Sequence, residues 1–513
     1  MVTLYKNPIL SGCYPDPSLC RVSDDFYLVN SSFEYFPGVP IFHSRDLVHW
    51  RQLGHVLTRK SQLDLKYAPS SCGIYAPTLR YANERFYLVT TNVGRIGNFF
   101  VTAKRPEGPW SDPIPIDQEG IDPSLCFDGD TVYYTRNGKG RDFDHPVIKQ
   151  AKIDITTGKL AFTPRTIWKG TGGVWPEAPH LVKVGNWFYL ITAEGGTSYD
   201  HSIVVARSKK PFGPFEGCPH NPVLTHRDRP RSQIHAVGHV DLVELKDGTW
   251  WAVMLGIRPK HGRFHHLGRE IFLAPVTFTK DGWPRIGHKG TVPISHPSPA
   301  LEPHRFTELP ARDDFNAKTL RLDWQFIRNP QSRDWSLTAR PGFLRLMGSA
   351  STLDDVKSQS AIVRRQQHFD VRCQAKLDFE PQRDNEEAGL FVRAREGFHY
   401  AWALRHANGG RIAELISTLN GKRTIVGATK VVEGPVVLEV KANSRNYTFS
   451  IVAHGRPRTV GSLPTRSLSS ESISKLGPMH FTGAMIGLYA TGRGQRSRTP
   501  ADFDWFEYAV ASF

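Results

Sequence analysis

One pattern recurs five times in the first 300 residues, and it constrains the fold more than any other feature of the chain. Each copy opens on a proline or small-residue turn and continues into a leucine-containing strand. It then turns tightly through polar residues and returns along an aromatic strand. The copies read DPSLCRVSDDFYLVNSS from Asp16, APTLRYANERFYLVTTN from Ala76, DPSLCFDGDTVYYTRN from Asp122, APHLVKVGNWFYLITA from Ala178 and HVDLVELKDGTWWAVML from His239. The connectors SDD, ANER, DGD, VGN and KDG are hairpin-turn chemistry. Alternation in FYLV and WWAVML suits strands, not helices. The copies start roughly 45 to 60 residues apart, about the length of one four-stranded propeller blade. The expectation is an all-β chain whose residues 1–300 form a five-bladed β-propeller; the competing plan is a sequential sandwich.

In a propeller, the innermost strand of every blade lines the central channel, so equivalent repeat positions converge. The opening position is Asp16 in the first copy, Asp122 in the third and His239 in the fifth; Glu177 immediately precedes it in the fourth. Three carboxylates from three blades would then face one end of one channel. Like charges gathered in a partly dry funnel are costly, and such a cluster points to catalysis. Pro15 and Pro17 flank Asp16, and their fixed backbone would aim the acid. A lone Asp-Pro reads as a turn; acids at three equivalent positions call for more. The sequence carries neither a Ser-His-Asp set nor metal-ligand spacing beside them. Carboxylates of this kind run general acid–base chemistry, most commonly glycosidic bond cleavage.

Bulk properties narrow the field further. The net charge is +16, but the basic residues are dispersed, with local clusters at 226–231 and 492–498 and no nucleic-acid-binding fold around them. This reads as solvated surface, with no nucleic-acid partner. No apolar run is long enough for a membrane span, and the N-terminus lacks a signal-peptide pattern, so a cytoplasmic location is expected. The six cysteines are scattered without a CxxC pair, which argues against zinc and against a disulfide framework.

The repeats end near DGWPRIG, and a Pro- and Ser-rich stretch follows at 288–304. A linker is expected at 301–310, then a β-sandwich over 311–513 built from GFLRLMG, SAIVRRQQHFDVRCQAKLDF, EAGLFVRA, FHYAWALRH, VVLEVKA, YTFSIVA, MIGLYATG and DFDWFEYAV.

The first domain resembles glycoside hydrolase family 43, specifically its two-domain β-xylosidase/α-L-arabinofuranosidase branch. The resemblance rests on YPDPSLCRVSDDFYLVNSSFEYFPGVPIFHSRDLVHW, GIYAPTLRY, GIDPSLCFD, WPEAPHLVKVGNWFYLITAEGGTSYDHS, GHVDLVE and HHLGRE, which run in order through nearly all of residues 1–300. It implies an inverting mechanism with Asp16 as general base, Glu177 as general acid and Asp122 orienting Glu177 and raising its proton affinity. Arg269 would bond a sugar hydroxyl and offset the negative charge. Phe33 and Tyr75 would wall a pentose pocket, and Glu194 would be a further contact. His239 would bond near Asp122 or anchor a hydrated cation in the channel. Ala178 stands where relatives often carry Gly, and adds a methyl beside the acid.

The second domain resembles the concanavalin-like domain of the same branch. Asp313 and Asp504 would be its calcium ligands, with no cofactor required for the chemistry, and Phe481 in HFTGAMIGL would reach the propeller mouth as part of a lid. The expected activity is exo-release of terminal xylose from β-1,4-xylooligosaccharides, with α-L-arabinofuranosidase activity beside it. A mainly arabinose-releasing enzyme and a glycan-binding propeller without turnover stay open, as does self-association.

Overall fold

The computed structural model describes residues 3–139, 145–407, 409–477 and 480–510. Five sheets follow one another along the first part of the chain, each ordered from its first strand outward. The first blade runs Ser18–Val22, Asp25–Val29, Gly38–Ser44 and Arg51–Leu57. The remaining four open with Thr78–Ala82, Ser124–Asp128, Glu177–Val184 and His235–Glu244. Each repeat found in the sequence is thus the inner hairpin of a blade. The aromatic return strands Asp25–Val29, Arg85–Val93, Thr131–Lys139, Trp187–Glu194 and Trp250–Ile257 pair antiparallel with them.

Alternating side chains of stacked blades bury one another, and each neighbouring pair has its own apolar cluster. Leu79, Leu88 and Val29 join the first two blades; Leu125, Tyr134 and Val89 join the second and third. Leu181 packs with Cys126 and Tyr133, and Ile191 with Val240 and Ala252. Leu19 and Leu28 meet Val253 and Trp251, closing the ring between the first and last blades.

Among the described residues the second domain packs a sheet of eight strands against one to which it contributes seven, the eighth coming from the propeller. Their shared core includes Trp402, fully buried, with its indole N–H donating to Ser450 O at 2.9 Å. The two domains are stitched together in both directions. Tyr35–Phe36, from the propeller, adds as an edge strand beside Gln325–Ile327 of the sandwich. Within the Pro- and Ser-rich stretch, Ser295–Pro297 pairs with Leu4–Lys6. Fully buried Arg328, beside that edge strand, donates to Glu396 at 2.6 Å and to Ala68 O at 2.7 Å. Among the described residues no helix is long and apolar enough to cross a membrane.

Candidate active site

The first residue of four of the five repeats sits in a kink: Asp16 and Asp122 lie two residues before their inner strands, and Ala178 and His239 lie within theirs, at breaks in the ladder register. Asp16, Asp122, Ala178 and His239 all have left-handed backbone, with φ between 50° and 56°. This conformation is strained for residues with a Cβ. The kink turns the acid away from the strand's regular alternation and into the end of the channel. It also changes the meaning of Ala178. The methyl matters less for the space beside Glu177 than for the backbone, because φ +52° is a conformation glycine adopts without strain.

Asp16, Asp122 and Glu177 line one cavity of about 240 Å³, together with Phe33, Tyr75, His239, Arg269 and Phe481. Asp16 is 6% exposed. Arg269 Nη1 donates to its Oδ1 at 2.7 Å, and Ser31 Oγ donates to its Oδ2 at 2.6 Å. His239 Nδ1 lies 3.6 Å from the same carboxylate. Burial alone would raise Asp16, but Arg269, His239 and the Ser31 hydroxyl outweigh it and hold the carboxyl below its ordinary range. Burial raises the other two acids, and neighbouring negative charge adds to the effect. Asp122 is lifted by burial and by Asp16, against the pull of His239. Glu177 is lifted well above the usual carboxylate range by burial, by Asp122 and by Asp16. Asp122 Oδ2 also accepts from Ala178 N at 3.1 Å, which ties it to the backbone next to Glu177. Asn137 Nδ2 donates to Pro176 O at 2.7 Å on the other side. Asp16 is held ionised, Asp122 is raised only to about 6, and Glu177 keeps its proton, so one cavity can supply a base and an acid at the same pH.

The apolar wall comes from three separate parts of the chain. Phe33 and Phe481 stack at 6.2 Å between ring centres, and Tyr75 meets them edge-on at 5.6 and 6.1 Å. Phe481 belongs to the sandwich. Its N–H donates to Ser71 Oγ at 3.0 Å and its carbonyl accepts from Arg269 Nη2 at 3.3 Å. Arg269 therefore lies on Asp16, Phe481 and Thr197, not on Glu270, whose ion-pair partner is Arg258 at 2.7 Å.

Two expected assignments come out differently. Glu194 does not line the cavity. Its carboxylate is occupied by Thr171 N at 2.7 Å, Thr171 Oγ1 at 2.7 Å and Gly173 N at 3.0 Å, so it fastens the loop before Glu177. The calcium site at Asp313 and Asp504 does not fit the residues present. The chain ends do meet, with Asp313 opposite Phe506. However, Asp313 accepts from Trp324 Nε1 at 2.9 Å and from Phe315 N at 3.1 Å, and Asp504 pairs with Lys376 at 2.8 Å. Among the described residues no group of three or more His, Cys, Asp or Glu is placed to hold a metal ion. His239 faces Asp16, as above, and the channel beneath already carries the guanidinium of Arg80. That group is bonded to Asp241 at 2.8 and 3.1 Å and to His180 Nδ1 at 3.0 Å.

The sequence reading passed over Ser31, Asn137 and Trp175. Trp175 stands two residues before Glu177, in WPEAPHL. Ser31 and Asn137 are ordinary polar residues on return strands or just beyond them, and only the fold brings them to the acids.

Comparison with known proteins agrees with this architecture. Residues 5–284 match the family model described as Glycosyl hydrolases family 43, and residues 312–509 match the Beta xylosidase C-terminal Concanavalin A-like domain. The chain is 46% identical over 510 residues to the non-reducing end α-L-arabinofuranosidase BoGH43B of Bacteroides ovatus, covering 98% of this chain and 94% of that one. It is 38% identical to a xylosidase/arabinosidase of Butyrivibrio fibrisolvens, covering 98% and 99%. The solved structure named Bacteroides ovatus Xyloglucan PUL GH43B superposes with a TM-score of 0.95 at 45% identity, over 99% of this chain and all of the other. The chain is a glycoside hydrolase of family 43, a five-bladed propeller carrying a concanavalin-like second domain.

Proposed function

We propose that the protein is an inverting exo-glycosidase that removes a terminal xylose from β-1,4-xylooligosaccharides and also releases terminal α-L-arabinofuranose. The observation that carries this reading is the split in proton affinity among three acids sharing one small cavity. Asp16, kept ionised by Arg269, takes a proton from water as that water attacks the anomeric carbon. Glu177, kept protonated, gives its proton to the departing glycosidic oxygen. Asp122 holds that proton on Glu177 through its charge and positions the acid through Ala178 N. Inversion requires a base and an acid set about 6.5–9.5 Å apart, with room for water between them. Phe33, Tyr75 and Phe481 offer the apolar faces a single pentose needs. Phe481, supplied by the sandwich, closes that end, which favours a terminal sugar over a site within a chain.

A second reading, a mainly arabinose-releasing enzyme, draws support from the name of the 46% identical relative. Both readings use the same acids. Incubation with xylobiose and with arabinose-substituted xylooligosaccharides, followed by proton NMR, tests the proposal. The expected result is a single pentose released with inverted anomeric configuration, and the relative rates rank the two sugars. Net retention, internal fragments or no product at all would overturn it.

A further inference from the structure

We propose that Trp175 is the platform on which the ring of the leaving-group sugar stacks; this rests on the glycosidase reading above. Trp175 lines the cavity, yet 47% of its surface is exposed, whereas Phe33 is buried and Tyr75 and Phe481 are half-buried. It is also strained, with φ +52°, and strain of this kind is kept where surrounding contacts over-determine it.

Those contacts are present on both sides of the residue. Glu194, 2% exposed, uses both carboxylate oxygens to hold Thr171 and Gly173. Gly195 N donates to Val174 O at 2.8 Å, and Asn137 Nδ2 holds Pro176 O at 2.7 Å. The indole rests against Gly196, where an added Cβ would come within 2.5 Å of the ring. A buried carboxylate, an asparagine and a bare glycine thus fix one aromatic ring in solvent. No apolar partner from the protein would require that.

Position assigns the occupant. The aromatic trio Phe33, Tyr75 and Phe481 gathers at the base, since Arg269, which bonds Asp16, lies 5.8 and 5.7 Å from the Phe33 and Phe481 ring centres. Trp175 instead precedes Glu177 by two residues. In an inverting displacement, water attacks from the base side and the leaving group departs on the acid side. A ring fixed beside the acid therefore meets the departing sugar. The chemistry that suits it is the C–H face of a pyranose, such as the xylopyranose that remains whether the released sugar is xylose or arabinose. Trp175 would then set the preference for sugar leaving groups without choosing between the two pentoses.

The test compares wild type, Trp175→Ala and Trp175→Phe on a xylooligosaccharide and on β-D-xylopyranosyl fluoride. The fluoride ion leaves from the same carbon but has no ring to stack. Trp175→Ala is expected to lose roughly tenfold or more in kcat/KM on the oligosaccharide and to stay within about twofold of wild type on the fluoride. Trp175→Phe is expected to recover most of the loss. Equal loss on both substrates, or no loss on the oligosaccharide, overturns the platform while leaving the glycosidase reading intact. A wild-type protein inactive on both substrates overturns the two together.

Discussion

Two buried charged clusters sit in the same propeller channel, one pleat apart, and they are built on opposite terms. At the channel end, Asp16, Asp122 and Glu177 face one cation, Arg269, so negative charge is in excess. One pleat below lie Ser18, Arg80, His180 and Asp241, contributed by four different blades. Arg80 grips Asp241 with two bonds, Ser18 Oγ and Leu19 N donate to the same Asp241 oxygen, and neutral His180 accepts from Arg80. Burial would raise Asp241, but the Arg80 charge and the bonds from Arg80 and Ser18 hold it far below its ordinary range. Burial pushes His180 down to about 3. Every strong group in the lower cluster has a partner, whereas the upper one holds an acid, Glu177, that keeps its proton beside charged neighbours. A balanced buried cluster fastens blades; an unbalanced one stores the pKa differences that catalysis uses.

The contrast can be broken at its extremes. Asp16→Asn removes the proposed base and leaves the lower cluster untouched. We expect kcat on xylobiose to fall about 10³- to 10⁴-fold, measured by pentose release; a loss under tenfold would show that Asp16 is not the base. Asp241→Asn does the reverse. It strands the Arg80 charge in the interior, and we expect about 3–5 kcal/mol of lost stability, read by denaturant unfolding. The sign with pH follows from the depressed folded pKa. The contribution of Asp241 is complete above its unfolded value of about 3.9 and fades as pH falls towards the folded one. A stable Asp241→Asn protein would mean that the lower cluster does not hold the ring together.

A smaller change sharpens the comparison within the upper cluster. Glu177 must be protonated to act, so activity falls on the alkaline side as it ionises. Asp122 raises Glu177 by its charge. Asp122→Asn should therefore move the alkaline limb of kcat to lower pH, by about one unit or more. An unmoved limb in a full pH–rate profile would separate Asp122 from that role. The smallest effect is expected at Ala178→Gly. Relief of left-handed strain, worth about 1–2 kcal/mol, is offset by the greater freedom of glycine in the unfolded chain, about 0.4–1 kcal/mol. The net is a gain of between zero and about 1.6 kcal/mol in thermal unfolding, with the pH profile unchanged.

Parts of the second domain were harder to read. The hairpin Gly410–Leu419 and Lys422–Lys430 was not among the segments picked out, although Asn420 and Gly421 carry the left-handed φ values of a tight hairpin turn. Its second strand is almost wholly exposed, so it lacks the apolar alternation that marks a strand buried on one face. The edge strand Tyr35–Phe36 was equally hidden, because its partner Gln325–Ile327 lies some 290 residues away. Local pattern carries no information about such a pairing.

The sequence by itself determined the fivefold repeat, the blade that owns each acid and the chemistry three carboxylates can perform. Period-two alternation and turn residues are local, and copying them five times leaves few ways to close a ring. The tertiary structure alone decided what surrounds those acids. Arg269 falls on Asp16 rather than on its sequence neighbour Glu270, Glu194 holds a loop rather than a sugar, and Ser31 donates to Asp16. The proton affinity of a buried acid depends on charges within a few ångströms in space, and those neighbours lie up to 253 residues away along the chain.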